Sequence, residues 1–532
     1  MVRRLTKLGP LLVLLMCTVG PLFAQTDSDG DGIPDDVEKN GLDITLANGK
    51  KQHLDLAGLG ASPTHKDIFV WVDWMSAPDH THKPLDAALT IVQNALENAP
   101  VSNPDNRTGI ALHVVVSPIP VIIVQGNSKV NHVDQLGAVS GNDYDWTAFN
   151  KIKMANFPKE LQSNHYFHYC LFAHSLGNTT VSGFSKVGGY DFVVTLGDYD
   201  NHVGTTEQQA GTFMHELGHN LGLRHGGKDD IVAKPNYLSV MNYLFQLHGL
   251  TQNGVPGHFD YSRFELPSLN EGALDSTQGI TKDASFATWG TQFYCPNSDV
   301  TTPVPSGVNS IDRIDWRCDG SFGSIVNSDV NQDGSITTLN SQDDWSNIQL
   351  APPNLPGAGI AILVKLSPNQ ELTVEKANRI SLPPVAGLEA EVKEQSVVLS
   401  WKAIPLDRVF GYIIFRKAEL SQQPPEEVGK SETSNFVDKT VTAKGRYSYF
   451  VTAAAAPVGA NNALDLSDIQ KFFGEMVITD KSDVASVKSA TPTRSQRWED
   501  LGMTNSESRK KVSFPSFLIQ TKPSKTISVS VE

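Results

Sequence analysis

Between Gly211 and Gly227 the chain reads GTFMHELGHNLGLRHGG, which sets His215, Glu216, His219 and His225 within eleven positions around Gly222. On a helix of ~3.6 residues per turn, His215 and His219 stand about 40° apart, so both imidazoles face one way and can share a metal ion. The same helix would carry His225 about 240° round from His219. The chain must therefore turn between them, and Gly222 is the residue that can take up the left-handed conformation such a turn needs. Three neutral imidazole nitrogens suit Zn²⁺ and leave a fourth position for water, the coordination of a catalytic zinc rather than a structural one. Glu216 is badly angled for a ligand but well placed for a base. It can take a proton from that water as a carbonyl is attacked and pass it to the leaving amine. A core helix with incidental histidines would produce HExxH, but it leaves Gly222 and His225 without a reason.

HELGHNLGLRH resembles the zinc-binding consensus of the metzincin metalloendopeptidases. That resemblance implies one catalytic Zn²⁺ on His215, His219 and His225, Glu216 as general base, and a protein or peptide substrate. It also implies a Met-turn, which YLSVMNY supplies through Met241, sixteen residues after His225, as a hydrophobic floor under the metal. The SVMNY form is similar to that of astacins and serralysins, in which a tyrosine two places after the methionine binds the metal or donates to the oxyanion; Tyr243 takes that role here. Gly226, after the third histidine, departs from the Asp, Glu, Ser or Pro of the best-known groups, so the subfamily stays open. HNLG is similar to the adamalysins, whose dense cysteines are absent. The family's substrates lie extended along an edge strand, for which SGFSKVGG is the candidate.

Two acidic segments read as calcium loops. DSDGDGIPDDVE places Asp27, Asp29, Asp31, Ile33 (through its carbonyl), Asp35 and Glu38 at the ligand positions, with Gly32 at the tight turn. It resembles a thrombospondin type 3 or EF-hand loop. DVNQDGSITTLN is a weaker match, with Asp329, Asn331 and Asp333 in place, Asn340 at the closing position, and Asp343 or Asp344 left to help. One or two structural Ca²⁺ ions are expected. The other histidines, His80, His82, His165 and His168 among them, have no comparable spacing and read as loop or core residues.

The elements that must position this chemistry form an α/β arrangement. DIFVWVDWM, GIALHVVV, FHYCLFAH and DFVVTLG read as buried strands. PLDAALTIVQNALENAP has Leu85, Leu89, Val92 and Leu96 at helical spacing. A second helix opens at Thr205 or Thr206 with a capping-box signature and bears the histidines. This predicts a twisted, mostly parallel sheet with an active-site helix over residues 41–360, behind a calcium loop at 25–40 and ahead of a linker at 361–382. Residues 383–491 change character. SVVLSWKAI, GYIIFRK and YSYFVTA alternate like the strands of a β-sandwich, and Trp401 with that last strand resembles a fibronectin type III module. Residues 492–532 are polar and read as a disordered tail.

The start, with Arg3, Arg4 and Lys7 before an apolar run ending LFA, has the pattern of a secretory signal peptide over residues 1–24. A net charge of −15 becomes −18 once those three basic residues are removed. So acidic a chain argues against nucleic acid as a partner and suits divalent cations. Export permits a disulfide, and Cys295 can pair with Cys318, leaving Cys170 a buried thiol. The expectation is a secreted or periplasmic monomer with no membrane span. Its leading function is a zinc endopeptidase, broad or narrow in its substrates. The alternative is an adhesion protein on a protease-like scaffold, its fibronectin-like part available to a surface or matrix component.

Overall fold

The computed structural model describes residues 26–459 except 47, 117–128, 297, 305–312, 352–365, 394–395, 420, 422, 424 and 442–444, together with 519–520, 524 and 527–531. The expected signal peptide over 1–24 lies outside the described residues, as do 492–518 of the expected tail and 361–365 of the expected linker.

An acidic turn leads into α1 (Asp35–Asn40). The central strand β1 (Asp67–Ser76) is buried at every position but Ser76, as a parallel strand covered on both faces must be. In α2 (Asp86–Glu97), Ala88, Leu89, Val92, Ala95 and Leu96 turn inward. Leu85, expected on that face, precedes the helix as its N-cap and is exposed. The sheet continues with β2 (Ala111–Val116), β3 (Lys129–Asn131), β4 (Phe167–Ala173), β5 (Gly183–Ser185) and β6 (Asp191–Thr195). Its order is β2-β1-β4-β6-β5, with β3 also pairing the far end of β1. Every pairing is parallel except that of β5, which runs antiparallel to β6 at the edge.

The helix α3 (Thr206–Asn220) opens with the expected capping box, Thr205 and Gln208 each accepting from the other's backbone N–H. Its apolar face, with Phe213, Met214 and Leu217, joins α2 in the core on one side of the sheet. A second core on the other side gathers Phe69, Trp71 and Tyr169 with Ile33 and Val37 from the N-terminal turn and α1. After α3 the chain forms short two-stranded ladders around Trp316, Phe293 and Leu339. Cys295 and Cys318 are disulfide-bonded there, and Cys170 is a buried free thiol.

Asp73 sits inside β1 with Tyr169 donating to its Oδ2 at 2.7 Å. Burial outweighs that bond and lifts its carboxyl to about 7. An unfolded aspartate ionises near ~3.9, so the stability lent by the protonated form is complete below that pH and is lost as pH rises to about 7. Over that window wild-type protein is expected to lose up to about 1.4 kcal/mol per pH unit relative to Asp73→Asn, with the difference levelling off above it. Paired denaturant titrations across the window check this, and parallel curves would contradict it.

The expected linker is not a spacer. Residues 366–378 return to the helix-bearing unit and end in α4 (Val374–Asn378). Two antiparallel sheets follow. One comprises β7 (Glu389–Lys393), β8 (Ser396–Ser400) and a later strand; the other begins with β9 (Val409–Ala418) and β10 (Glu426–Ser431). Next come β11 (Asn435–Asp438), which completes the first sheet, and β12 (Gly445–Ala455), which pairs with β9. Val397, Leu399, Trp401, Tyr449, Val451 and Ala453 meet in one core between the sheets. Part of the stretch read as a disordered tail is ordered. β13 (Ile519–Gln520) and β14 (Ile527–Val531) both pair with β12, and the alternation of ISVSV puts Val529 into the core.

Candidate active site

His215, Glu216 and His219 lie on the last turns of α3, and all three are fully buried. The helix stops at Leu221. Gly222 then takes φ +92°, where a side chain would be strained, and the chain folds back to bring His225 beside the other two rings. His219 Nε2 lies 3.1 Å from Nε2 of both His215 and His225. The far nitrogens are fixed by acceptors: His215 Nδ1 donates to Val240 O at 2.9 Å and His219 Nδ1 to Leu223 O at 2.8 Å. A carbonyl can only accept, so those two Nδ1 atoms carry the proton and both Nε2 atoms are bare lone pairs. Burial, with help from His225, drives His215 down to about 3, and burial also holds His219 far below its usual range, so both rings stay neutral.

Bare nitrogens pressed this close repel unless a cation sits among them. With ligand bonds of ~2.0–2.1 Å, the edge of a tetrahedron is about 3.3 Å, close to the separations seen. The donor set therefore fits Zn²⁺.

The Met-turn supports the same point from below. Val240 supplies the carbonyl that orients His215, and Met241 packs so tightly under α3 that a Cβ on Gly218 would fall 2.4 Å from its Sδ. The turn is held by Asp344, which accepts from Ser239 Oγ at 2.6 Å, Tyr237 Oη at 2.8 Å and Ser262 N at 3.0 Å. Asp344 is thus a buried anchor for the Met-turn and takes no part in an acidic loop. Tyr243 is buried, its hydroxyl 2.9 Å from His225 Nε2 and donating to Gln370 O at 2.5 Å. Burial and the adjacent Glu371 push that phenol up, so it remains a proton-bearing donor.

Glu216 faces the edge strand. A Cβ on Gly183 would lie 2.6 Å from its Oε1, and both carboxylate oxygens are buried without a partner. Burial, reinforced by the charge of Glu371, raises Glu216 well above the usual carboxyl range.

Glu371 was not visible in the sequence. Its Oε2 lies 3.3 Å from His225 Nε2 and 3.9 Å from His215 Nε2, so the carboxylate completes a four-donor group with the three histidines. Burial alone would raise Glu371, but the facing His225 holds it below its ordinary value. Its neighbours run along the sheet edge: Ser182 N donates to Leu372 O at 2.9 Å, Val374 N to Thr180 O at 3.3 Å, and Val181 bridges Thr373 antiparallel. Residues 180–182 lead directly into β5, the edge strand along which substrate was expected to lie.

The N-terminal acidic residues converge only in part. Asp27, Asp29 and Asp31 form one group, and Asp31, Glu38 and Asp67 a second that shares Asp31. Asp67, the first residue of β1, was not foreseen. Asp35 does not join; it accepts from Ser28 N and Oγ at 2.8 and 2.9 Å and braces the loop instead. Ile33 is buried, its N–H donating to Asp31 Oδ1 at 2.8 Å. Glu38 is fully buried with neither oxygen partnered, and burial together with Asp31 and Asp29 lifts its carboxyl to about 9. Burial and Asp29 likewise lift Asp31 to about 8.

The second acidic loop forms a turn whose side chains bond largely to its own backbone, with Asp329 Oδ1 left buried and without a partner. Asp329 accepts from Gly334 N, Asp333 from Ser335, and Asn331 Nδ2 donates to Asp333 and to Val232 O. Asn340 accepts from Ser268, and the buried Glu271 takes the loop's Val330 and Thr337 N–H groups.

Of the histidines read as loop or core, His168 is a core residue bonded to Asn220, and His165 lies tilted against the Tyr190 ring. His80 and His82 instead meet His132 and His174 in a separate cluster.

Residues 90–226 match the model of the reprolysin-like metallo-peptidase family M12B, a stretch that ends one residue past His225. The match supports a zinc-dependent hydrolase acting on protein substrates. No curated protein matches the chain. Among solved structures, titin kinase with its flanking domains is similar at 23% identity, over 13% of this chain and 13% of that one, with a TM-score of 0.12. An Fn3-like protein from Clostridium thermocellum is similar at 25% identity, over 14% of this chain and 77% of that one, also at 0.12. Pectate lyase Pel3 from Pectobacterium carotovorum matches at 20% identity over 14% of this chain and 22% of that one, with a TM-score of 0.12. Among the described residues no helix is long and apolar enough to cross a membrane.

Proposed function

We propose that this chain is an exported zinc endopeptidase of metzincin type, held closed by its own residues 370–374. The observation that carries the reading is the meeting of His215 and His219 Nε2 lone pairs at 3.1 Å, with His225 equally close to His219. Zn²⁺ bound there supplies Lewis acidity, polarising a carbonyl and making water nucleophilic near neutral pH. Glu216 is the base that takes the proton from attacking water, its raised affinity for protons suiting it to pass that proton to the leaving amine. Tyr243 donates its hydroxyl proton to the developing oxyanion once Gln370 no longer accepts it. A substrate strand takes the backbone partners that Leu372 and Val374 now occupy, pairing with Ser182 and Thr180.

The closed state follows from burial. His215, Glu216 and His219 have no solvent access, and Glu371 stands where a fourth donor would bind. A casein-type digestion by the full chain, before and after chelation and zinc return, tests the assignment. Cleavage that disappears with the chelator and returns with Zn²⁺ is expected. Zinc uptake without cleavage of any unfolded protein would favour the adhesion alternative, in which the β7–β14 sandwich, read as fibronectin type III-like, does the binding.

Ca²⁺ is the proposed partner of Asp31, Glu38 and Asp67, since hard oxygen donors suit it and a cation would satisfy the two orphaned Glu38 oxygens. Calcium is expected to raise the melting temperature of the wild type, and Glu38→Ala is expected to abolish that rise. Scanning calorimetry with and without Ca²⁺ decides it; an equal rise in both proteins would contradict the assignment.

A further inference from the structure

His80, His82, His132 and His174 each offer a ring nitrogen within 4.8 Å of the others, apart from the site described above. They are far apart in sequence but share one origin. His80 and His82 lie on the returning side of a tight turn just past β1, closed by Ala77 N to His80 O and His82 N to Met75 O, each at 2.9 Å. His132 follows β3 directly, and His174 follows β4. All four therefore sit at the carboxyl edge of parallel strands, where open α/β sheets bind their ligands. Gly197 leaves room for the His174 ring, because a Cβ there would fall 2.5 Å from its Cγ.

The ring orientations are those of ligands. His80 Nδ1 lies 3.0 Å from Asp79 Oδ1, and His132 Nδ1 lies 3.5 Å from Asp134 Oδ1. A carboxylate at a histidine's far nitrogen fixes the tautomer and aims the other nitrogen, as in carboxylate–histidine–metal arrangements. With its Nδ1 proton donated to Asp79, His80 Nε2 is a bare lone pair, and it faces His132 Nε2 at 3.2 Å. On the other side of the cluster His82 Nε2 and His174 Nδ1 stand 3.3 Å apart. Both spacings match the tetrahedral edge of about 3.3 Å set by ~2.0–2.1 Å bonds. His82 is buried.

We propose that His80, His82, His132 and His174 bind a second divalent transition-metal ion, Zn²⁺ for preference, in a closed four-nitrogen site that ties together the loops after β1, β3 and β4. Four imidazoles without a thiolate or carboxylate ligand exclude Ca²⁺ and Mg²⁺, which take oxygen, and four protein donors leave no open position for catalysis.

Zinc content of the full chain, stripped by chelator, reloaded with ZnCl₂ and measured by plasma mass spectrometry, tests this. Two zinc ions per wild-type chain are expected. H80A/H132A, whose substituted side chains are partly exposed, is expected to keep one, and so is H215A/H219A. Cobalt loaded into H215A/H219A should give the intense visible band of a tetrahedral site, absent when H80A/H132A is added. No metal in H215A/H219A, or two zinc ions in H80A/H132A, would each overturn the proposal. The wild-type count and the cobalt spectrum need no folded H80A/H132A. Because H215A/H219A removes only the first site, failure of the protease reading and failure of this one give different counts.

Discussion

Glu216→Gln is expected to lower kcat for peptide-bond hydrolysis by roughly 10²–10⁴-fold while leaving zinc content unchanged. Gln matches the volume of Glu in the narrow space against Gly183, so the fold should survive, but an amide cannot take a proton from water. Glu216 lies outside the group of converging donors formed by His215, His219, His225 and Glu371. A ligand variant such as His219→Ala should lose metal and activity together, whereas Glu216→Gln separates them. Zinc analysis beside steady-state kinetics makes the distinction. Near-normal turnover by Glu216→Gln would assign the base elsewhere.

Glu371→Ala is expected to act in the opposite direction and raise hydrolysis of a peptide substrate by at least about tenfold at saturating zinc. The segment holding Glu371 is anchored by the backbone pairing with Thr180 and Ser182, by Tyr199 donating to Leu372 O at 3.1 Å, and by Lys376 donating to Glu371 O at 2.7 Å. These bonds remain in the variant, while the carboxylate facing His225 and His215 is lost. Each ~1.4 kcal/mol removed from the closed state multiplies the ratio of open to closed forms by ten. A charge-assisted contact in a dry site is worth more than that, at ~1.5–3 kcal/mol. Initial rates on a quenched peptide check the expectation. Unchanged or lower activity with zinc fully loaded would mean that Glu371 does not restrain the enzyme.

The histidine helix was legible because its constraints are local. One turn of helix aligns His215 with His219, and one glycine at positive φ returns His225. The parallel strands were legible from unbroken apolar runs such as DIFVWVDWM, and Leu85 falls outside the apolar face because the helix begins only at Asp86. Glu371 was hidden because nothing near ELTVEK marks it. Only the tertiary pairing of Leu372 with Ser182 brings its carboxylate to the histidines. The second histidine cluster was hidden for the same reason, since three loops supply it, and the HTH of His80 and His82 was its one local sign. In the N-terminal acidic loop the position count differs from the structure where a side chain had a better local partner. Asp35 turned to Ser28, and Asp67 came in from β1. β14 was missed because charge and polarity around it outweighed the strict alternation of ISVSV.

Everything catalytic in this account needs one ion bound by three imidazoles at the end of α3. Anomalous diffraction from crystals of the zinc-loaded full chain, recorded on both sides of the zinc absorption edge, locates that ion directly. A peak about 2 Å from the Nε2 atoms of His215, His219 and His225 is the expected result. A map with no anomalous density among those three rings, from protein that has been offered zinc in excess, would contradict it.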